Sequence, residues 1–361
     1  MRKIVLAISP SKEMGGGQKV FLTLVKELLI KKKEVIVILP DTSLLPYLSS
    51  YAIKIYFVNF YSLSCLIDIA KILKKEKVDV INTYLPRCSL LISFVNVLYH
   101  IPICCTCLNA IIHVKLNMLQ KRMYPLLYFL LYKLCNGIIV NSEQNKRHFI
   151  EVGRIKAGAI QVIYSGIETD DLFDIQDSIP KKSRFIIGTI GRLSPEKGQN
   201  YLIEALAHLK GIDYECMIVG DGPLRKELEE QVVRENVCAR VKFLGFQKRV
   251  AHFARHMDVI VVPSLNETFG ITIVEAFALK KAVIASDAGG IPELVKHKVT
   301  GLLFPAGDSA ALAERILYVY HNRAEAEKMA HNAYEFFARN FTSSIMATNT
   351  LEYYDYLINQ S

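Results

Sequence analysis

Apolar runs of a few residues alternate with longer segments of helical periodicity throughout the chain. Such short runs, bounded by Gly, Pro and polar residues, are typical of buried strands. A regular alternation of strands and helices predicts a parallel sheet with helices on both faces. In the first half we predict strands at Lys3–Ile8, Glu34–Leu39, Val78–Asn82, Ile101–Leu108 and Gly137–Asn141, and a helix at Val20–Lys31 after the glycines Gly15–Gly17.

The second half repeats this alternation after a polar stretch, Glu168–Lys182, which we interpret as an interdomain linker. Because 361 residues are too many for one ordinary core, the sequence predicts two Rossmann-like α/β domains in tandem, with a cleft between them. Asp308 is the predicted N-cap of a helix at Ser309–Val319. Further strands are predicted at Phe185–Ile190, Glu215–Val219, Val241–Gly245, Val259–Val262 and Ala282–Ser286, with helices at Tyr201–Lys210, Ile271–Lys281, Ala324–Arg339 and Thr342–Leu357.

Composition places the chain among folded globular proteins, with 51% hydrophobic and 22% charged residues. No window holds 18 uninterrupted apolar residues, so no transmembrane helix is predicted. The apolar run near Met1 is too short for a signal peptide, and we interpret it as the first strand. A cytoplasmic protein is therefore expected.

The eight cysteines lie mostly inside apolar runs, which is typical of reduced core residues in the cytosol. Cys104, Cys105 and Cys107 look like part of a metal cluster, but no second Cys pair follows at zinc-finger spacing. His252 and His256 have the spacing of a helical zinc pair but lack the metalloprotease Glu, since Phe253 follows His252. Ordinary core and helix positions are favoured in both cases, and no metal site is predicted.

The net charge of +9 resides entirely in the first half of the chain. Residues 1–175 hold 22 Lys and Arg against 13 Asp and Glu, whereas residues 176–361 hold 22 of each kind. One-sided basicity indicates an anionic partner, either nucleic acid or acidic lipid headgroups. The segment 119–133, in which Lys121, Arg122 and several Tyr flank apolar residues, has the composition of a peripheral membrane anchor, although a core helix explains it equally well. No nucleic-acid recognition motif accompanies the basic patches.

The most informative stretch runs from Glu267 to Glu275, directly after the strand Val259–Val262 and the turn Pro263-Ser264. Glu267 is predicted on a loop at the carboxyl end of a strand, where open α/β sheets bind ligands, and Glu275 two turns into a helix. Gly270 allows the first N–H groups of that helix to approach an anion. This pattern favours a polyhydroxylated, phosphorylated ligand over the alternative, a surface helix with two unrelated acids.

Arg192 and Lys197 stand between a predicted strand and a helix, bracketed by Gly191 and Gly198. Two cations at this spacing are able to neutralise a diphosphate from two sides. The spacing is not that of a P-loop, and an ordinary exposed turn is the alternative. Further glycine turns end three other predicted strands, at 220–223, 245 and 289–290, and together they outline one crevice.

Taken in order, these motifs resemble the retaining glycosyltransferases of family 4, which have the GT-B fold, and the resemblance covers nearly the whole chain. It rests on Gly15–Gly17, Asn141-Ser142-Glu143, Ser165-Gly166-Ile167, Gly191-Arg192-Leu193 with Lys197-Gly198, Gly220-Asp221-Gly222-Pro223, Phe243-Leu244-Gly245, Pro263-Ser264, the pair Glu267 and Glu275, and Gly289-Gly290 with Glu293.

The resemblance implies two Rossmann-like domains whose parallel sheets face each other across a cleft. Residues 1–170 are the expected acceptor-side domain, residues 175–341 the nucleotide-sugar-binding domain, and a final helix, 342–361, is expected to pack back on the first. Residues 267, 192 and 197 are the implied catalytic set, with the cations on the diphosphate and no metal required. The implied donor-binding residues are Gly16, Gly17, Gly191, Gly220, Asp221, Gly245, Phe246, Thr268, Phe269, Gly270, Ile271 and Glu275.

One position departs from the family pattern. Where the family commonly has His, this chain has Leu108 followed by Asn109. Since that His contacts the 6-hydroxyl of the donor sugar in the family, we hypothesise a donor without this hydroxyl, a 6-deoxy sugar or a pentose. The alternative is a local shift in which His113 supplies the group. Together with Asn141, these residues are the predicted sugar and acceptor side.

The sequence thus predicts a metal-independent, retaining glycosyltransferase that needs no cofactor and takes its sugar from a nucleoside-diphosphate sugar, with UDP favoured. The predicted acceptor is a lipid-linked precursor of a cell-surface glycan, and contact with the inner face of the plasma membrane is a further expectation. A GT-B-fold sugar-nucleotide epimerase and a non-catalytic nucleotide-sugar-binding protein are the alternatives.

Overall fold

The computed structural model describes residues 2–9, 15–62, 64–108, 118–169 and 184–360, without the side chains of residues 118–125. The chain divides into two compact units, which we call unit 1 (Met1–Gly166 with Ser343–Ser361) and unit 2 (Ile167–Thr342). Each has a parallel sheet with helices, so the predicted α/β fold class is confirmed. Most of the predicted linker lies outside the described residues.

Unit 1 contains a parallel sheet with the strand order β3-β2-β1-β4-β5-β6-β7 over its described residues. Successive strands are added on one side of β1 up to β3 and on its other side from β4 onwards. Doubly wound sheets open a crevice at the point where the strand order reverses in this way. Its strands are β1 Lys3–Ile8, β2 Glu34–Leu39, β3 Lys54–Phe57, β4 Val80–Tyr84, β5 Ile103–Cys107, β6 Gly137–Val140 and β7 Ile160–Val162, and its helices are α1 Gly16–Ile30, α2 Cys65–Glu76, α3 Pro86–Asn96, α4 Met118–Leu134 and α5 Glu143–Glu151, followed much later by α13 Ser343–Gln360.

Strand β1 shows how the sheet of unit 1 separates two cores. Its residues Ile4, Leu6 and Ile8 pack with α1 and α13, while Val5 and Ala7 pack with α2 and α3 on the opposite face. Alternate side chains of a strand point to opposite faces, so a strand buried on both sides is apolar throughout. The continuous run Ile4–Ile8 in the sequence has this cause.

Helix α13 belongs to unit 1 although all of unit 2 precedes it in the chain. Asn82 Nδ2 donates to the buried Tyr354 Oη over 2.7 Å, and Ser343 Oγ donates to Glu27 Oε1 over 2.6 Å. Gly137 leaves room for the helix, because a Cβ there would lie 1.9 Å from the Tyr353 hydroxyl. These contacts make α13 part of the core of unit 1.

Unit 2 contains a second parallel sheet with the strand order β10-β9-β8-β11-β12-β13 over its described residues. Asp308 accepts from the Ala311 N–H, which confirms it as an N-cap. The strands are β8 Phe185–Ile190, β9 Tyr214–Val219, β10 Val241–Gly245, β11 Val259–Val262, β12 Ala282–Ser286 and β13 Leu302–Phe304, and the helices are α6 Gln199–Ala207, α7 Arg225–Arg234, α8 Val250–Ala254, α9 Ile271–Ala278, α10 Ile291–Leu294, α11 Ser309–His321 and α12 Arg323–Asn340.

The cysteines and histidines singled out in the sequence occupy ordinary positions. Cys104, Cys105 and Cys107 are buried in β5, where burial raises the pKa of Cys104 well above its usual value. The rings of His252 and His256 lie 5.6 Å apart, at the end of α8. In the described part of the chain no three His, Cys, Asp or Glu side chains are grouped to hold a metal ion.

Nor does any helix in that part have the length and apolarity needed to cross a bilayer.

Candidate functional site

The loops after β8 and β11 meet at the carboxyl edge of the unit 2 sheet, because these strands are neighbours. The Leu265 N–H donates to the Glu196 carbonyl over 2.9 Å. Gly198 permits the approach: it has a φ of +64°, and a Cβ there would lie 2.2 Å from the Pro263 carbonyl oxygen. The two loops therefore form one surface at this edge.

The loop contact joins the two charged groups that the sequence singled out separately. Lys197 Nζ lies 2.5 Å from Glu267 Oε2, and the two side chains are 30% and 16% exposed. A pair at this depth is less screened by solvent than a surface pair, and it is still open to a ligand. A carboxylate able to accept hydrogen bonds from hydroxyls and a cation able to bind phosphate thus lie side by side.

Arg192 is the second cation of the predicted site, and its side chain is exposed. Its backbone is fixed, because Gln199 Nε2 donates to the Arg192 carbonyl over 2.9 Å. An exposed cationic side chain is thus carried by an anchored backbone, as a phosphate-binding group requires.

Helix α9 begins at the same edge, directly after Gly270, which has a φ of +100°. Phe269 is buried against Phe341, with ring centroids 5.9 Å apart, and so anchors the start of the helix. Ile271 and Glu275 are half-buried. The positive end of the helix dipole and the first N–H groups therefore lie beside Glu267, an arrangement that favours an anionic ligand.

Glycines join the loops after β8, β9 and β10. Gly191 N–H donates to the Val219 carbonyl over 2.9 Å, and Gly220 N–H to the Gly245 carbonyl over 2.8 Å. At Gly220, with a φ of +138°, a Cβ would lie 1.9 Å from the Gly191 carbonyl oxygen. A side chain at Gly220 therefore does not fit between these loops, and all three glycines stay partly exposed along the edge.

Gly289 and Gly290, after β12, hold the loop that carries Glu267 and Thr268. Gly290 N–H donates to the Glu267 carbonyl over 2.8 Å. Cβ atoms at the two glycines would lie 2.1 Å from the Glu267 carbonyl oxygen and 2.3 Å from that of Thr268. The position of the Glu267 carboxylate therefore depends on glycines more than twenty residues away.

Two further predicted residues lie on the β9 and β10 side of this edge. Asp221 accepts from the Gly222 N–H over 2.8 Å and lies 3.6 Å from Arg225 Nη1. Phe246 is 65% exposed, directly after Gly245. An exposed aromatic ring beside accessible backbone is suited to the face of a planar base.

The predicted residues of unit 1 form a second group. Gly16 and Gly17 open α1, and a Cβ at Gly17 would lie 3.9 Å from Leu108 Cδ1. Asn141 is buried and donates through Nδ2 to the Leu108 carbonyl over 3.1 Å, so its side chain supports the backbone after β5. Asn109 and His113 lie outside the described residues, and the alternative involving His113 stays untested.

Several supporting groups in unit 2 carry no motif that marks them in the sequence. Gln199 holds Arg192, the Glu196 carbonyl holds the Glu267 loop, and Ser286 Oγ donates to the Ser264 carbonyl. The contacts of Glu196 and Ser286 join chain segments at neighbouring strands of the folded sheet, whereas that of Gln199 lies within the segment that follows β8. The only sequence signal for these residues is that they lie at strand ends. Many ordinary turn residues lie at strand ends too, so this signal does not identify a supporting role.

Comparison with known proteins matches the chain to two family descriptions in succession. Residues 14–171 match "Glycosyltransferase Family 4" and residues 170–336 match "Glycosyl transferases group 1". An uncharacterized glycosyltransferase of Methanocaldococcus jannaschii is 34% identical over 58% of this chain and 57% of its own length. A lipopolysaccharide core mannosyltransferase of Rhizobium leguminosarum is 32% identical over 44% of this chain and 47% of its own. The matched region thus spans about half of these two relatives.

A solved structure extends the likeness to both units. The Anabaena protein HepE, crystallised with UDP and glucose, is 26% identical and has a TM-score of 0.82, covering 96% of this chain and 98% of its own. Its likeness spans both parallel-sheet units, and the two family descriptions together cover residues 14–336. The chain therefore belongs to the family 4 glycosyltransferases, and its two α/β units are those of the GT-B fold.

Proposed function

We propose that this protein is a retaining, metal-independent glycosyltransferase that moves a sugar from UDP to a hydroxyl of a lipid-linked precursor of a cell-surface glycan. The likeness to HepE, which holds UDP and glucose, supports the donor. The likeness to a lipopolysaccharide core mannosyltransferase supports the class of acceptor. In this proposal unit 2 binds the donor and unit 1 the acceptor.

The observation that carries the proposal is the contact between Lys197 and Glu267 beside the start of α9. The donor diphosphate takes Lys197 as one partner and Arg192 as the other. When the bond from the anomeric carbon to the phosphate oxygen breaks, UDP leaves with the electron pair, and the two cations stabilise the growing negative charge. The acceptor oxygen then bonds to the anomeric carbon, and its proton passes to the departing phosphate oxygen of UDP.

The remaining donor contacts follow from the same edge of the sheet. Glu267, released from Lys197, accepts hydrogen bonds from hydroxyls of the donor sugar, and Glu275 accepts them from the ribose. Backbone N–H groups around Phe269, Gly270 and Ile271 hold phosphate and sugar oxygens. The base lies against the backbone and ring at Gly245 and Phe246. Because the cations carry the charge of the diphosphate, no metal ion is required.

A donor screen tests the proposal. UDP and UDP-sugars are expected to raise the melting temperature more than GDP, ADP or their sugars, because a ligand that binds the folded state stabilises it. Transfer of labelled sugar from the best donor to a lipid-linked acceptor is then followed in the presence of a chelator, and NMR of the product gives the anomeric configuration. Absence of any nucleotide-dependent stabilisation contradicts the proposal, and interconversion of donor sugars without transfer supports an epimerase instead.

A further inference from the structure

Three neighbouring helices of unit 1 present large apolar side chains to solvent. Helices α2, α3 and α4 lie side by side on one face of the sheet, opposite α1 and α13. Leu98 is 78% exposed, Phe94 63% and Ile67 59%. On α4, Phe129 is 41% exposed. We call these four residues the apolar face.

A cavity of about 620 Å³ opens within this face, between α2 and α3. Ile67, Phe94 and Leu98 line it together with Lys71 and Lys74. Exposed apolar clusters of this kind mark interaction sites, because water contact with so much apolar surface is unfavourable. The face is therefore expected to be covered when the protein works.

The two charged side chains that line the cavity are cationic. Lys71 and Lys74 follow Ile67 by one and two turns on the same side of α2. Lys133 is exposed, and its Nζ lies 5.5 Å from the Phe129 ring centroid, which places its ammonium at the margin of the apolar face. Apolar and aromatic side chains with lysines at their margin are the composition of surfaces that lie in the interface of a bilayer.

We infer that unit 1 docks on an anionic lipid bilayer through the apolar face. Ile67, Phe94, Leu98 and Phe129 enter the boundary between headgroups and acyl chains, and Lys71, Lys74 and Lys133 contact the lipid phosphates. A second copy of the chain is a poorer occupant, because a twofold contact through this face brings like-charged lysines together. The inference is independent of glycosyl transfer, which has its own test.

Co-sedimentation with vesicles tests the surface. The protein is expected to sediment with vesicles that contain phosphatidylglycerol and to remain in solution with pure phosphatidylcholine. The double variant Lys71→Gln/Lys74→Gln should bind about thirtyfold more weakly, since each lysine near an anionic leaflet contributes about 1 kcal/mol. Lys226→Gln/Lys328→Gln, at two exposed lysines of unit 2, is the charge-matched control and should bind like the parent.

The apolar contribution has a test of its own. Phe94→Gln/Leu98→Gln changes exposed residues, so the fold should persist, while vesicle binding should fall at least about tenfold. Ile30→Gln, at a residue 70% exposed on the opposite side of the sheet, should bind like the parent. The inference is overturned if the parent does not bind anionic vesicles or if Phe94→Gln/Leu98→Gln binds them as tightly as the parent does. It is also overturned if this variant abolishes a dimer of a parent that does not bind vesicles.

Discussion

Lys197 Nζ and Glu267 Oε2 lie 2.5 Å apart although 70 positions separate the residues in the chain. The two residues lie on different loops, one after β8 and one after β11. They meet because β8 and β11 are adjacent strands and because the Leu265 N–H on one loop donates to the Glu196 carbonyl on the other. In the structure each charge thus has the other as its partner. A diphosphate that takes Lys197 releases Glu267 towards the sugar, so phosphate binding and sugar binding are expected to be coupled.

Neutralising either residue of this pair should strongly reduce glycosyl transfer and have little effect on folding. Glu267→Gln keeps the size of the side chain, and we expect kcat to fall at least about a hundredfold, as for the loss of a group that stabilises a transition state. Lys197→Met should raise the Kd for UDP and lower kcat as well. Steady-state kinetics and calorimetric binding of UDP measure both effects.

The matched control is a second ion pair of unit 2. Lys242 Nζ and Glu215 Oε2 lie 2.7 Å apart. Lys242→Met and Glu215→Gln should leave kcat and the Kd for UDP close to those of the parent. If they reduce transfer as much as Glu267→Gln does, the role assigned to Lys197 and Glu267 is wrong.

Because the glycines at the sheet edge are in close contact with neighbouring backbone, replacing one of them by Ala should lower the free energy of unfolding. Gly220→Ala puts a Cβ 1.9 Å from the Gly191 carbonyl oxygen at a φ of +138°, and we expect a loss of about 3 kcal/mol in the free energy of unfolding. Gly211→Ala is the control, since it also has a positive φ, +76°, but no atom within 4 Å, so it should cost about 1 kcal/mol. Urea unfolding measures both, and equal losses would show that crowding at Gly220 is unimportant.

Leu108 gives a prediction about donor choice. If its replacement of the usual His reflects a donor without a 6-hydroxyl, turnover with a 6-deoxy or pentose donor should exceed that with the matching hexose by about tenfold, the usual discrimination of an apolar pocket for one group. Leu108→His should shift the ratio of kcat/KM towards the hexose. A parent enzyme that clearly prefers the hexose ends this hypothesis.

The carboxylate of Glu76 makes unit 1 sensitive to acid. A hydrogen bond from Tyr56 over 2.7 Å, and then one from Lys54 over 2.9 Å, lower the pKa of Glu76 below its usual value of 4.5. A lowered folded pKa gives stability that is present above the unfolded pKa and is lost as pH falls through the folded pKa. Tyr56→Phe should therefore cost about 2 kcal/mol at neutral pH, and the cost should shrink below about pH 4.5.

Thermal unfolding of Tyr56→Phe across this pH range provides the measurement. Tyr47→Phe, at an exposed tyrosine of the same unit, is the control and should track the parent at every pH. A cost for Tyr56→Phe that does not change with pH would mean that the charge of Glu76 is not involved.

The strands that carry the candidate site were predictable from local pattern. Phe185–Ile190, Val259–Val262 and Ala282–Ser286 have the predicted bounds, because buried β-branched runs end at turn residues. Strands β3, β7 and β13 were missed, since edge strands of three or four residues carry little pattern. Helix α1 begins at Gly16, not at Val20, because the first N–H groups of a helix make no bonds within it and tolerate glycine.

The contacts within the site could not be predicted from the sequence, for a different reason. Arg192, Lys197, Glu267 and Glu275 were each found from motifs, but the pairing of Lys197 with Glu267 depends on strand order, which no local pattern contains. The same holds for the apolar face. Its members on α2, α3 and α4 look like core residues in the sequence, and only the packing of the helices leaves them exposed.

Helix α13 has a consequence for how the chain folds as it is made. Tyr353, Tyr354 and Leu357 complete the core that α1 shares with β1, yet they are translated after the whole of unit 2. At ~5–20 residues per second, that core waits roughly ten to forty seconds for its last helix. Unit 2 is therefore expected to reach its native state first on the ribosome, and unit 1, whose synthesis begins earlier, to finish second.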